Sequence, residues 1–486
     1  NIPADPDEAV EFLQKAAERT ARTSTTRHLL LMNGVDHMEA QPELGTTLQA
    51  LVGSMPDTVV HSTLEKVVAA TRSEAKSLKT FQGELREDDG GRLDAGTLSA
   101  RMPLKLANFH CTQWLERITE PLVGLAQIMG GPDLEAVVRL AWRTLLKNHP
   151  HDSICGCSID EVAKQMEARF QSVDDLCTAT TERALQALAP AVGYTDQPGE
   201  FLLYNPSVVS RQGVEIISVD LPLAEPTRSP VRMMTKPERT QHPEDVRVRQ
   251  SDGTLCETQL LSIEETERLV MAPLHLPRTQ PVRRVTAAVK VDVPELGLAR
   301  YQLEVLPAQK RPPRGLATSN RRLENEHLVV EVAADSTLWV THKASGRQIG
   351  PMHLVEDGGE VGDTYHYIPP RQDDVIQVSQ ATTVALIEDG PLTAALRLRY
   401  EILVPAELNS TRTARSDQMV TLTVDTTVRL RQGARFVTFD TVVDNTARDH
   451  RLRVVFPSGV ATDKFTAGSQ FCAVTRPVDL PEDWRR

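Results

Sequence analysis

Apolar residues follow two different spacings along the chain, and the spacing changes close to the prolines Pro190 and Pro198. Before these prolines, apolar positions recur every three or four residues, as on one face of a helix. After them, short apolar stretches alternate residue by residue with polar ones, as in half-buried strands. The pattern predicts a multidomain α+β protein in which helices precede antiparallel strands.

The spacing of apolar residues over 1–79 predicts alternating helices and short strands. Helical spacing is found in residues 7–22, 45–52 and 62–77. The apolar stretch 28–32 has the length of a buried strand, and it ends in the turn Asn33-Gly34-Val35-Asp36-His37. Ligands bind where parallel strands end in such turns. We therefore expect residues 1–79 to be the C-terminal part of an α/β domain, with too few strands for a complete sheet.

The spacing of apolar residues over 80–195 predicts an α-helical bundle. Helical spacing continues from about residue 97 to residue 130, with possible breaks at Pro103 and Pro121, and it returns in two further helices. These two helices are separated by Asn148-His149-Pro150-His151-Asp152-Ser153-Ile154-Cys155-Gly156-Cys157-Ser158.

This separating segment is the densest cluster of chemically able side chains in the sequence. Pro150 cannot continue a helix, because it lacks an N–H and its ring clashes with the preceding turn. Ser158 and Glu161 have the spacing of a capping box that opens the next helix. His149, His151 and Asp152 should therefore lie on a short, stiff link between helices.

Antiparallel β structure is predicted for the rest of the chain, as a small β domain over 196–315 and a large, truncated β-sandwich domain over 316–486. The segment Arg311-Pro312-Pro313-Arg314-Gly315 is the predicted boundary. Period-two alternation is clearest in Gly213–Val219, Val282–Val293, Ala299–Val305 and Val420–Leu430.

Composition and net charge argue against some classes of binding partner and of cellular location. The net charge of −12 argues against nucleic-acid or anionic-membrane partners, and no apolar stretch is long enough for a transmembrane helix. Six cysteines without a disulfide framework indicate a cytoplasmic protein. Cys155 and Cys157 lack a second pair at zinc-ribbon spacing, which argues against a metal site of their own. The chain begins without Met and ends soon after strand-like segments, so we expect both ends to be cut.

Four sites carry candidate chemistry, and each has a plain structural alternative. His151 and Asp152 could bind a metal and a substrate, or could simply cap neighbouring helices. Asp36 could contact a ligand, or could cap the turn after a strand. Glu84, after Gly83, could be a general acid with a raised pKa or part of an exposed acidic loop. Tyr365, in a Gly-rich loop, could form a hydrogen-bonding wall of a cleft or support the base of that loop.

Taken together and in this order, these motifs resemble glycoside hydrolase family 38, the zinc-dependent retaining α-mannosidases, and most closely its bacterial mannosylglycerate-hydrolase-like members. The resemblance covers nearly the whole chain, and its most specific part is the His-Asp-x-Ile-x-Gly sequence beginning at His151. The motifs that carry it are Leu30-Leu31-Met32-Asn33-Gly34-Val35-Asp36-His37, Gly83-Glu84-Leu85-Arg86, the segment from Asn148 to Gly156, Tyr204-Asn205-Pro206 and Gly362-Asp363-Thr364-Tyr365.

The resemblance implies a role for each candidate residue. His151 is similar to a family zinc ligand, and Asp152 to a residue that contacts sugar hydroxyls. Glu84 lies where the acid/base carboxylate is found in bacterial members, and Asp36 and Tyr365 lie at substrate-lining positions. Zn²⁺ would hold the sugar's vicinal hydroxyls as a template.

One part of the family pattern is not found in this sequence. The His-x-Asp zinc motif and the Asp nucleophile that follows it should precede Asn1, so the remaining zinc ligands are expected outside this chain. We therefore expect this chain alone to be inactive, and the enzyme that contains it to cleave terminal α-mannosidic bonds with retention. The expected partner is a mannoside, and a homodimer is possible.

Two other functions stay open at this point. The chain could be a carbohydrate-binding or assembly module without chemistry, in which case the candidate residues should scatter. It could also be another metal-dependent hydrolase built on Asp36, His37, Glu84 and His151, in which case a complete metal shell should lie within the chain.

Overall fold

The computed structural model describes residues 2–34, 36–76, 78, 95–223, 244–270, 276–307, 315–469 and 472–478. The chain divides into two compact units. Asn1–Arg86 and Asp463–Asp479 form the first, and Glu87–Thr462 and Leu480–Arg486 form the second. The predicted mixture of helices and antiparallel sheets is confirmed. Among the described helices, none combines the length and apolar character needed to cross a membrane.

Eight α-helices are described, all of them within the first 190 residues. They are α1 Pro6–Ala21, α2 Leu44–Ala50, α3 Leu64–Glu74, α4 Met102–Gln113, α5 Glu120–Ile128, α6 Glu135–Leu146, α7 His151–Cys155 and α8 Asp160–Leu188. Short 3₁₀ turns lie at Ala95–Leu98 and Ala189–Val192, and a π-helical turn lies at Trp114–Thr119.

Strands follow from residue 200 onwards. They are β1 Glu200–Tyr204, β2 Arg211–Pro222, β3 Glu244–Gln250, β4 Leu255–Cys256, β5 Thr258–Val270, β6 Arg278–Val293, β7 Leu298–Pro307, β8 Ala317–Ser319, β9 Arg322–Glu324, β10 Leu328–Val332, β11 Leu338–His342, β12 Arg347–Met352, β13 Leu354–Gly359, β14 Ile376–Val378, β15 Thr383–Glu388, β16 Thr393–Pro405, β17 Met419–Arg431, β18 Thr438–Asp444, β19 His450–Val455, β20 Lys464–Ser469 and β21 Cys472–Pro477.

The first unit contains α1, α2, α3 and the hairpin β20–β21. Its small core is formed by Ile2, Ala9, Leu13 and Leu51. The predicted strand at 28–32 is wrong, because residues 28–34 form no regular secondary structure and Met32 is 75% exposed. An isolated extended segment leaves its backbone groups without ladder partners, and the described part of this unit offers no neighbouring parallel strand.

The helical part of the second unit packs around α8. Phe170, Val173 and Cys177 of this long helix are buried against residues of α4, α5 and α6. The expected break at Pro121 is not a break. Pro121 lies in the first turn of α5, directly after the π-helical turn, so its missing N–H costs no α-helical hydrogen bond there. The expected capping box at Ser158 is also wrong, because Ile159 is the N-cap of α8 and makes no side-chain cap.

The β part of the second unit is a series of antiparallel sheets. The sheet β2–β6–β5 packs on the sheet β1–β7–β3–β4 over a shared apolar core, which makes a β-sandwich. Later strands form the sheets β12–β11–β10–β9–β8, β14–β13–β19 and β15–β16–β17–β18. All four strands predicted from clear alternation are present.

A buried polar contact joins the sandwich to the later sheets. The side chain of Gln259 on β5 accepts hydrogen bonds from the backbone N–H groups of Leu392 and Thr393 at 2.9 and 3.0 Å and donates to the Thr393 carbonyl at 3.0 Å. Such satisfied buried groups fix the two β parts to one another. The expected boundary at 311–315 lies almost wholly outside the described residues.

Candidate functional site

The segment between α6 and α8 forms a loop around the single-turn helix α7. Pro150 is the N-cap of α7, and His151 and Asp152 are its first two residues. Gly156 ends it in the left-handed conformation, at φ +82°, where a Cβ atom would lie 3.1 Å from the Ala100 carbonyl oxygen. Both the backbone angle and the close approach therefore require glycine at this position.

Backbone atoms of this loop are held by cations from the preceding segment. Arg101 donates to the carbonyl oxygens of Gly156 at 3.0 Å and Ser158 at 3.3 Å. Lys105 donates to the Cys155 carbonyl oxygen at 3.0 Å. Burial lowers the pKa of the Lys105 ammonium, although the neighbouring thiols oppose this effect. The loop is thus fixed by groups outside it.

The two residues before Pro150 are structural. Asn148 is fully buried and donates to the Met166 carbonyl oxygen at 3.0 Å. His149 lies 2.8 Å from the Asn108 side-chain oxygen, and burial lowers its pKa, so the imidazole is neutral near pH 7. The imidazole of His149 is therefore already hydrogen-bonded within the helical bundle.

His151 and Asp152 instead face outwards. The side chain of His151 is 89% exposed and that of Asp152 is 56% exposed, and His151 Nε2 lies 3.6 Å from Asp152 Oδ1. Exposed polar groups on a firmly held turn are available to a ligand.

A second loop, residues 360–368, follows β13 and carries Tyr365. Asp363 Oδ1 accepts hydrogen bonds from the backbone N–H groups of Tyr365 at 2.8 Å and His366 at 2.9 Å, which lower the pKa of the Asp363 carboxyl. Glu360 closes the loop by accepting from the N–H of Ile368 at 3.0 Å. The loop shape is thus set by its own acidic side chains.

This second loop is joined by its backbone to the segment before α4. The N–H of Gly96 donates to the Tyr365 carbonyl oxygen at 2.8 Å, and a Cβ atom at position 96 would also lie 2.8 Å from that oxygen. The approach is too close for any side chain at position 96.

Cys157 is the point where the two loops meet. Its Sγ lies 3.4 Å from Asp152 Oδ1 and 3.5 Å from the Asp152 carbonyl oxygen. The Tyr365 side chain is a hydrogen-bonding neighbour of the same thiol and acts to lower its pKa. Burial and the Asp152 carboxylate raise the pKa of Cys157 against the opposing effect of Tyr365, so the group is a thiol at pH 7. Asp152 and Tyr365, both singled out from the sequence, thus meet at Cys157, and His151 lies beside Asp152.

A buried ionic cluster lies at the base of the Tyr365 loop. Asp357 on β13 is fully buried and pairs with Arg415 and His450. Two residues later, the N–H of Gly359 donates to the Asp373 carboxylate at 3.0 Å. These contacts anchor the strand end from which the Tyr365 loop departs.

The other two candidate residues lie earlier in the sequence, and only Asp36 is among the described residues. Asp36 is 92% exposed and accepts a hydrogen bond from the N–H of His37 at 3.1 Å, as expected of a turn. Glu84 lies outside the described residues.

A complete metal centre is not present among the residues that the structure describes. No group of three or more His, Cys, Asp and Glu side chains there is placed to hold an ion. A catalytic zinc needs about three protein ligands, so His151 does not form such a centre with its described neighbours alone. The described residues therefore do not support the alternative function, a metal-dependent hydrolase whose metal ligands all lie within this chain.

Sequence reasoning did not assign Cys157, Arg101 or Lys105 to the site. Cys157 was considered only as half of a Cys-x-Cys metal pair. Arg101 and Lys105 lie about 50 residues before the carbonyl groups that they bind, and no local pattern marks them.

Two parts of the chain match models of known protein families. The profile described as "Alpha mannosidase middle domain" matches residues 93–188, and that described as "Glycosyl hydrolases family 38 C-terminal domain" matches residues 323–486. A protein of Halalkalibacterium halodurans, provisionally named mannosylglycerate hydrolase, is 26% identical over 100% of this chain and 57% of its own length.

Two solved structures from Enterococcus faecalis have the same fold. The first, described as an alpha-mannosidase from strain V583, has a TM-score of 0.86 and 24% identity and covers 100% of this chain and 58% of its own. The second, described as a protein of glycosyl hydrolase family 38, has a TM-score of 0.79 and 25% identity, with 98% and 57% coverage. The chain thus spans somewhat more than half the length of these relatives. It belongs to glycoside hydrolase family 38.

Proposed function

We propose that this chain is part of a glycosidase that cleaves terminal α-mannosidic bonds with retention of configuration. The observation that carries the proposal is that Asp152, with His151 beside it, and Tyr365 both contact Cys157. A scattered placement of these residues would instead have favoured a non-catalytic module.

Asp152 and Tyr365 would bind the sugar. The Asp152 carboxylate accepts hydrogen bonds from sugar hydroxyls, and such charge-assisted bonds are stronger than neutral ones. The Tyr365 hydroxyl oxygen can accept a hydrogen bond from a sugar hydroxyl on the same side. Glu84 would protonate the leaving oxygen and then activate water, as the acid/base of a retaining mechanism requires, and Asp36 would line the substrate site.

We include zinc in the proposed site because the sequence motifs resemble those of zinc-dependent α-mannosidases. His151 is its proposed ligand in this chain, and the remaining ligands are proposed to lie outside this chain. A bound zinc ion would supply a template for vicinal hydroxyls. The names of the relatives suggest mannosylglycerate-like solutes or other α-mannosides as substrates. A cytoplasmic location is proposed from the six free cysteines.

The test uses the longest natural polypeptide that contains this chain. We expect it to hydrolyse an aryl α-mannoside, to release α-mannose first in a proton NMR time course, and to lose activity with a chelator and regain it with Zn²⁺. Asp152→Asn should lower kcat/KM roughly 10- to 100-fold, the value of one or two charge-assisted hydrogen bonds. The control is Glu182→Gln, which removes an exposed carboxylate on α8.

Several outcomes would refute the proposal. Release of β-mannose first would exclude retention, and full activity after complete removal of zinc would exclude the metal. An inactive protein that still binds mannosides would instead favour a carbohydrate-binding module. We also propose that residues 1–486 alone are inactive, and turnover by this polypeptide would contradict that.

A further inference from the structure

Cys157 occupies a position that the proposed reaction does not use. It is neither a nucleophile nor a metal ligand in that reaction, and its raised pKa keeps it protonated. Its thiol nevertheless touches both candidate sugar contacts, which come from segments more than 200 residues apart. A thiol can donate one weak hydrogen bond and accept another.

We propose that Cys157 is a positioning residue, whose S–H group donates to Asp152 Oδ1 while its sulfur accepts from the Tyr365 hydroxyl. This inference rests on the proposed function, because it assigns Asp152 and Tyr365 to the sugar site. The thiol fixes the rotamer of the Asp152 carboxylate and ties the Tyr365 loop to the bundle. The free oxygen of Asp152 is thereby left to the substrate.

Three features of the surroundings make this contact persistent. Gly156, next to Cys157, is locked by its backbone angle and by the close approach of Ala100. Arg101 holds the carbonyl oxygens on both sides of Cys157, those of Gly156 and Ser158. On the other side, Gly96 holds the Tyr365 carbonyl oxygen. The thiol therefore lies between two fixed backbones, and its contacts do not depend on a flexible partner.

The first experiment measures kinetics on the longest natural polypeptide that contains this chain. Cys157→Ala should raise KM for an aryl α-mannoside roughly three- to tenfold, the value of one weak hydrogen bond, with kcat changed less than KM. Cys157→Ser keeps a donor and an acceptor and should recover at least half of the loss. Cys472→Ala removes an exposed thiol on β21 and should match the wild type.

The second experiment does not depend on turnover. The S–H stretching band that disappears in Cys157→Ala should lie below the frequency of the unbonded thiols in the infrared spectrum, and Asp152→Asn should move it upwards. A band at the unbonded frequency, or one unmoved by Asp152→Asn, would overturn the inference even if α-mannosides are hydrolysed. If the band behaves as expected but no α-mannoside is hydrolysed, the hydrogen bond stands, and the proposed function and the role of Cys157 in it fail.

Discussion

His353 offers the sharpest quantitative test of the structure. It directly precedes β13, the strand that leads to the Tyr365 loop, and it is fully buried. Its Nε2 lies 2.9 Å from the Thr426 hydroxyl, and its ring stacks on Tyr400 at a centroid distance of 5.2 Å. Burial lowers the pKa of His353 from 6.5 to about 4.

This lowered pKa makes stability depend on pH with a definite sign. An unfolded chain takes up a proton at His353 as the pH falls below about 6.5, whereas the folded protein does so only near pH 4. The contribution is therefore intact above pH 6.5 and is lost progressively towards pH 4. Between pH 7.5 and pH 5 the expected loss is about 2 kcal/mol, from roughly 1.5 pKa units at 1.36 kcal/mol each.

The matched variant is His353→Asn. His353 has φ +60°, a region that Asn tolerates better than most residues, and the Asn amide does not titrate. We would measure the free energy of unfolding in urea at both pH values, using pulsed hydrogen exchange and mass spectrometry of peptides from β16 and β17. Other groups that titrate act equally on both proteins. The wild type should therefore lose about 2 kcal/mol more than the variant.

Equal losses in the two proteins would refute the reasoning. The absolute stability of His353→Asn is not the criterion, because the smaller side chain also leaves a cavity. Only the difference between the two pH dependences reports the titration of the buried imidazole.

Two further predictions concern the loops of the site. Gly156→Ala should destabilise the bundle by about 2 kcal/mol in thermal unfolding. The control, Gly130→Ala, should cost about 1 kcal/mol, because Gly130 has the same positive φ but open space around it. Equal losses of stability in the two variants would show that the close approach of Ala100 to Gly156 is unimportant. Asp357→Asn should cost about 3–5 kcal/mol in urea unfolding and increase hydrogen exchange in residues 360–368, because it leaves a buried cation without its carboxylate. Asp425→Asn, at a partly exposed position of β17 where Asp425 pairs with Arg397, should cost only about 1 kcal/mol, and a similar cost for both would contradict the burial argument.

The sequence predicted best the elements in which a regular apolar spacing continues over many residues. The alternation in Val282–Val293 and Val420–Leu430 marks long strands, because one face of each lies on a core. Apolar character alone was misleading at residues 28–32, since a strand also needs neighbouring strands. The Ser158 capping box failed for a similar reason. Arg101 holds the Ser158 carbonyl oxygen, and the helix begins one residue later than the motif requires.

The candidate site was predicted only in part. The motif around His151 and the aromatic loop around Tyr365 were found as separate segments, and family resemblance, not spacing, suggested that they belong together. Their contact through Cys157 depends on the packing of the bundle against the β part of the same unit. A weak thiol hydrogen bond leaves no pattern in a sequence, so the residue that joins the two loops could not be identified in advance.

The part of the loop that follows Asp152 is held largely through its carbonyl oxygens. Every residue type has a carbonyl oxygen, so the shape of the loop depends largely on Arg101 and Lys105, which bind these oxygens. Substitutions at the exposed positions of the loop, such as His151 and Asp152, can therefore change the side chains that it presents without moving its backbone. Selection for a new sugar or aglycone could proceed at these exposed positions one residue at a time, while the two distant cations preserve the scaffold.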